Sequence, residues 1–196
     1  GGTELNGCLC LGVPILPVYA GEIQCPALGM KVVVYDPDYT HEQQEQPKKP
    51  IIYNTRGELV CLNPFPSMPL YFWNDTPNND RYHQSYFAHQ YGPNVWRHGD
   101  YALQTNRGGF FIYGRSDTTL NPGGVRIGTG DYYSVLSQVE GLADSVIVGR
   151  MNSQANEEII LFVVPTANAS GLVEDIKNVI KRDLSPRHLP HEIVQV

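Results

Sequence analysis

Tyr113-Gly114-Arg115-Ser116-Asp117-Thr118-Thr119-Leu120-Asn121-Pro122-Gly123-Gly124-Val125-Arg126-Ile127-Gly128 is where the composition of this 196-residue chain changes. Upstream, from Leu5 to about Tyr113, the sequence is dense in glycine, proline and aromatics. Short apolar runs, Lys31 to Tyr35 and Gly57 to Leu62, stand between turn signals, which predicts a β-rich region. Downstream, strand-like runs (Ser145 to Val148, Ile159 to Val164, and the alternating Ile193 to Val196) sit beside helical patterns. One helix is predicted from about Tyr132 to Gly141. A second is predicted from Leu172 to Leu184, with Leu172, Ile176, Val179, Ile180 and Leu184 on one face, Ser170 as cap and Pro186 as stop. The boundary is placed at Arg115-Ser116-Asp117, so residues 1–115 form a β-rich unit and 116–196 a small α+β unit.

A hydrophobic content of 41% supplies a core. The formal net charge of −6, with no basic run longer than Lys48-Lys49, argues against a general nucleic-acid or anionic-membrane surface. No apolar run is long enough to cross a bilayer. The four cysteines, Cys8, Cys10, Cys25 and Cys61, have neither zinc spacing nor neighbouring histidines. They are expected to be reduced, buried thiols in a cytoplasmic protein. His41 to Pro50 and Asp75 to Asp80 read as exposed loops. Neither end, Gly1-Gly2-Thr3-Glu4 nor Ile193-Val194-Gln195-Val196, has the look of a natural terminus.

The residues that carry chemistry are Trp96-Arg97-His98-Gly99-Asp100 together with Gly114 to Arg126. A carboxylate can accept from two ribose hydroxyls, and guanidinium donates in a fork to hydroxyl or phosphate oxygens. Glycine lets the backbone approach a ligand closely. Singly, each of these residues suits an ordinary turn better than a site.

Together they resemble the signature segments of the adenylate-forming superfamily, in that family's order: Gly2-Thr3-Glu4, Gly57-Glu58-Leu59, His98-Gly99-Asp100, and Gly114 to Arg126. The resemblance implies an α+β chain in which the barrel-like end of a large adenylation domain is followed by a small lid domain. It implies that Thr3 and Glu4 contact the adenylate phosphate, with Glu4 also on Mg2+, and that Asp100 and Arg115 hold the ribose. Asp117 falls at the hinge, Gly124 on the loop approached by the CoA arm, and Arg126 on a phosphate. ATP, Mg2+ and CoA are the implied cofactors.

Pro66-Ser67-Met68-Pro69, Phe72-Trp73 and the stretch from Gly114 to Pro122 are most similar to the branch that activates acetoacetate to its CoA thioester. Acetate-activating members carry tryptophan at the place of Gly1, so Gly1 and Gly2 are expected to leave an acyl pocket roomy enough for the longer acid. The family's triphosphate loop and its carboxyl-terminal Gly-Lys motif do not occur between Gly1 and Val196, so this chain alone is expected to be inactive. Gly128-Thr129-Gly130-Asp131-Tyr132 departs from the family's usual helix opening, which predicts an altered helix start. His188 and His191 read as surface histidines rather than a metal pair. The rival readings are another short-chain acid such as acetate or propionate, a non-catalytic nucleotide-binding fragment, and a glycan-binding domain using Tyr82, Tyr86 and Trp96 as exposed aromatics.

Overall fold

The structure is a computed structural model that describes residues 2–42, 50–167 and 170–196. Its contacts divide the chain into two compact units, Gly1–Ile112 and Tyr113–Val196.

In the first unit, β1 (Cys10–Leu11) and β2 (Cys25–Pro26) form a ribbon. A four-stranded sheet follows in the order β3 (Val32–Tyr35), β4 (Arg56–Cys61), β5 (Trp96–Gln104) and β6 (Phe110–Arg115). The sheet is open: the barrel-like end expected above is not a closed barrel among the described residues. All four residues of β3 are buried. Val32 and Val34 join a core with Leu59 and Cys61, while Val33 and Tyr35 join a second with Val60 and Tyr91 on the opposite face. A strand covered on both faces has no polar alternation, which is why Val32-Val33-Val34-Tyr35 is continuously apolar.

Between β4 and β5 lies α1 (Asp80–Tyr86), in a region read as loop as far as Asp80. Asp75 starts it: its carboxylate accepts from the backbone N–H of Arg81 at 3.0 Å, Tyr82 at 2.9 Å and Thr76 at 2.8 Å. The helix then delivers aromatics to the sheet, with Tyr86 stacked on Trp96 at 3.7 Å between ring centroids. Tyr82 and Trp96 are 6% and 1% exposed and Tyr86 is half-buried against them, so the aromatics expected on a glycan-binding surface pack in or against the core instead.

The second unit places α2 (Thr129–Leu136) and α3 (Leu172–Asp183) on a sheet of order β7 (Leu142–Met151), β8 (Glu157–Pro165), β9 (Glu192–Gln195). β7 and β8 are antiparallel; β9 runs parallel to β8, with α3 as the crossover parallel pairing requires. Leu172, Ile176 and Ile180 of α3 pack with Ile147, Ile159, Leu161 and Val163 of the sheet and with Tyr132, Val135 and Leu136 of α2. The expected cap, Ser170, is displaced by Gly171, which takes the capping position at φ 76° with no side-chain hydrogen bond. Acidic Glu174 and Asp175 in the first turn and basic Lys181 and Arg182 in the last complement the helix dipole. α2 begins at Thr129 rather than Tyr132 and ends before Gly141. A Cβ on Gly130 would lie 2.6 Å from the carbonyl oxygen of Tyr113, so the extra glycine lets the first helical turn lie directly on backbone.

Candidate functional site

Thr3 and Glu4 project from a tight turn. The N–H of Asn6 donates to the carbonyls of Gly2 at 3.1 Å and Thr3 at 3.2 Å, with Asn6 itself left-handed at φ 48°. Gly2 bridges Gly7 across the turn, and the side chains of Thr3 and Glu4 are exposed. Gly1, the other residue of the expected acyl pocket, lies outside the described residues.

β4 and β5 converge on the same place. Glu58 pairs with Tyr101 and Val60 with Arg97, so two steps along β4 face four along β5, and His98-Gly99-Asp100 stands out as a bulge. Gly99 takes φ 81°, which only glycine adopts without penalty. Bulges re-aim side chains out of the ladder. Asp100, within the bulge, is half-buried. Gly57 has no room for a Cβ because the carbonyl of Tyr35 occupies its place. The buried carboxylate of Glu58 lies 3.3 Å from Nε of Arg97, tying the Gly-Glu-Leu segment to the strand that carries Asp100.

His98 connects these groups, and no role was assigned to it from sequence. The indole N–H of Trp96 donates to His98 Nδ1 at 3.2 Å, and His98 Nε2 lies 3.6 Å from Asp100 Oδ2. A Cβ on Gly2 would lie 3.5 Å from His98 Cε1. The first unit therefore gathers Gly2 and Asp100 around one buried ring. The only sequence signal was the alternation of Trp96, His98 and Asp100 at every second position.

Arg115 ends β6 and its Nε lies 3.3 Å from Asp117 Oδ1, with both side chains more than half exposed. The hydroxyls of Thr118 and Thr119 donate to the Arg115 carbonyl at 3.1 and 3.2 Å, closing a 3-10 turn from Ser116 to Thr118. Leu120 and Ile127 exchange two backbone hydrogen bonds, 2.9 and 2.7 Å, and so pin the ends of a loop that holds Gly124 and the exposed Arg126. The backbone N–H of Asn121 at the root of that loop donates to the Glu157 carboxylate. A cleft of about 510 Å³, lined by Thr119, Asn121, Gly123, Met151, Asn156 and Glu157, runs along it.

Both histidines near the chain's end make hydrogen bonds within the second unit, His188 half-buried and His191 exposed. His188 Nδ1 meets the Ser185 hydroxyl at 2.8 Å, and His191 Nδ1 accepts from the Ile159 N–H at 2.9 Å. Among the described residues no three His, Cys, Asp or Glu side chains group as a metal cage. The four cysteines are free, but only Cys61 is buried; Cys8 is exposed and Cys10 and Cys25 are half-buried, because the β1–β2 ribbon lies at the edge of the core. Burial pushes the Cys10 thiol up to about 12, so the half-exposed ribbon supplies no thiolate there. No helix among the described residues is long and apolar enough to cross a membrane.

The fold is shared with an anthranilate CoA ligase solved with anthranoyl-AMP: the chain superposes on it over its whole length with TM-score 0.74 at 16% identity, covering 35% of that chain. More particularly, it matches the carboxyl-terminal part of acetoacetyl-CoA synthetases. It is 42% identical, over its full length, to the acetoacetyl-coenzyme A synthetase of Rhizobium meliloti (strain 1021). It superposes with TM-score 0.85 and 40% identity on the acetoacetyl-CoA synthetase of Streptomyces lividans, again over 100% of the chain. The chain spans about 28% of the length of each. No family model matches it.

Proposed function

We propose that this chain is part of an ATP-dependent acid–thiol ligase that converts acetoacetate and CoA to acetoacetyl-CoA by way of acetoacetyl-AMP. The observation that carries the proposal is the convergence on His98: Gly2, at the start of the turn assigned to phosphate, and the carboxylate assigned to ribose both lie beside its ring. The full-length match to acetoacetyl-CoA synthetases narrows the acid.

In the first step a carboxylate oxygen of acetoacetate attacks the α-phosphorus of ATP, and the bond to pyrophosphate breaks. In this reading Thr3, on the exposed turn, donates to phosphate oxygens, and Asp100 accepts from the ribose hydroxyls while Arg115 donates to the ribose. In the second step the CoA thiolate attacks the acyl carbon and AMP leaves. Arg126 holds a phosphate by charge-assisted hydrogen bonds, and Gly124, on the pinned Leu120–Ile127 loop, lets the CoA arm pass close to the backbone. Asp117, one residue beyond the Arg115–Ser116 junction, is the hinge about which the unit following it turns between the steps.

Mg2+ fits the residues present. Glu4 offers one exposed carboxylate, a hard oxygen donor of the kind Mg2+ takes alongside water and nucleotide phosphates. Bound there, it would neutralise developing phosphate charge. The substrates are water-soluble small molecules, acetoacetate among them a ketone body, and the reaction so read belongs in the cytoplasm.

The test is acid-dependent pyrophosphate release by the full-length protein with acetoacetate, acetate and butyrate, beside the Asp100→Ala variant. Preference for acetoacetate, lost in the variant, is the expected result. Preference for acetate would transfer the proposal to another short-chain acid, and release with none of them would leave a nucleotide-binding protein without this activity.

A further inference from the structure

Asp100 lies in the bulge that interrupts the β4–β5 register, and strand pairing fixes the backbone there but not the direction of a carboxylate. With Gly99 left-handed beside it, the groups around that carboxylate set its direction, and His98 is one of them. The ring is 7% exposed, lies 3.6 Å from Asp100 Oδ2 through Nε2, and is backed on its Cε1 edge by the Cβ-less Gly2.

Its tautomer is set from behind. Trp96 is 1% exposed and immobilised by Tyr86 stacked at 3.7 Å and Phe65 edge-on at 5.3 Å. An indole N–H can only donate, and it donates to Nδ1. Nδ1 is therefore the acceptor of the neutral ring, and the proton sits on Nε2, the nitrogen turned toward Asp100. At 3.6 Å the two groups interact electrostatically, and a small turn of the carboxylate completes a hydrogen bond.

We propose that His98 is a positioning residue for nucleotide binding: its Nε2–H, aimed by Trp96, holds the Asp100 carboxylate in the orientation that receives the ribose hydroxyls. The proposal rests on the nucleotide reading given above. A carboxylate that must meet two hydroxyls at once loses much of its value if it rotates, so the relay Trp96–His98–Asp100 acts on affinity for the ribose and not on the acid or thiol.

The experiment compares His98→Ala, His98→Asn and His98→Gln in the full-length protein, using ATP and 2′-deoxyATP. Alanine has no donor and asparagine puts its amide nearer the Nδ1 position, so both should raise KM for ATP about 10-fold, the size of one hydrogen bond to a charged group. kcat and KM for CoA should not move. Glutamine, whose amide nitrogen reaches the Nε2 position, should restore most of the loss, and the penalty should shrink on 2′-deoxyATP. Equal losses for all three variants, or an equal loss on both nucleotides, would mean that His98 only fills space and would overturn the proposal. ¹⁵N NMR of the histidine-labelled wild-type protein decides the matter even where a variant fails to fold: a proton on Nδ1 of His98 overturns it, a proton on Nε2 supports it. If the wild type uses ATP and 2′-deoxyATP equally, or neither, it is the nucleotide reading that fails.

Discussion

The carboxylate of Glu22 accepts a hydrogen bond from the guanidinium of Arg107 at 2.5 Å, although the Glu22 side chain is only 3% exposed. The hydroxyl of Thr105 donates to its other oxygen at 2.8 Å, and Arg107 lies over the ring of Tyr19, 4.3 Å from its centroid. The clasp joins the segment before β2 to the turn between β5 and β6, and its neighbours Ile23 and Phe110 exchange backbone hydrogen bonds of 2.8 Å.

The hydrogen bond from Arg107, then that from Thr105, hold the Glu22 carboxyl below its ordinary value near 4.5. A depressed carboxyl contributes stability that is complete above the ordinary value and is lost as pH falls through the lower folded one. Urea unfolding followed from neutral pH to below 4.5 should therefore show a steeper loss for the wild type than for Glu22→Gln, which cannot titrate. Parallel curves would remove Glu22 from the acid response.

Gly57→Ala should destabilise the first unit by about 2 kcal/mol, because the added methyl meets the Tyr35 carbonyl and the side chains of Val34 and Ile52, and backbone cannot swing aside. Denaturant titration measures it, and an unchanged midpoint would show that the β3–β4 contact relaxes at little cost.

Asp75→Ala removes the acceptor for three backbone N–H groups at the start of α1, and Asp75→Asn leaves one acceptor oxygen. Burial raises the Asp75 carboxyl, but the N–H groups of Arg81, Tyr82 and Thr76 outweigh it and the net direction is down. The alanine variant is expected to melt roughly 3 °C lower, the asparagine variant between it and wild type. Thermal melts by circular dichroism check the order, and the wild type should lose this margin only below the ordinary aspartate range.

Asp117→Ala should leave the melt unchanged, since its ion pair with Arg115 is solvent-exposed at both ends and such pairs contribute little. Its effect belongs to the proposed hinge: thioester formation should slow while acid-dependent pyrophosphate release persists. Single-turnover assays of the two steps separate them, and equal slowing of both would remove the hinge role.

Much of the fold was legible because periodicity reports burial. The unbroken valines of β3, the runs inside β4, β7, β8 and β9, and the spacing of Leu172, Ile176 and Ile180 on α3 each predict an element that the structure contains. α1 was not legible past Asp80, because its sequence Asp80-Arg81-Tyr82-His83-Gln84-Ser85-Tyr86 has little apolar periodicity and its start is set by Asp75 from outside the helix. The capping of α3 was misread at Ser170 because the left-handed Gly171 completes the turn without a side chain.

By itself the sequence determined the order of the motif segments and the α+β character, since each depends on residue type and local spacing. Only the tertiary structure decided which of those residues meet. That Glu22 clasps Arg107, 85 positions away, and that His98 lies between Trp96, Asp100 and Gly2, follow from strand register and a bulge in β5. A shift in register of one residue turns every side chain of a strand to its other face, and nothing within a short window of sequence states that register.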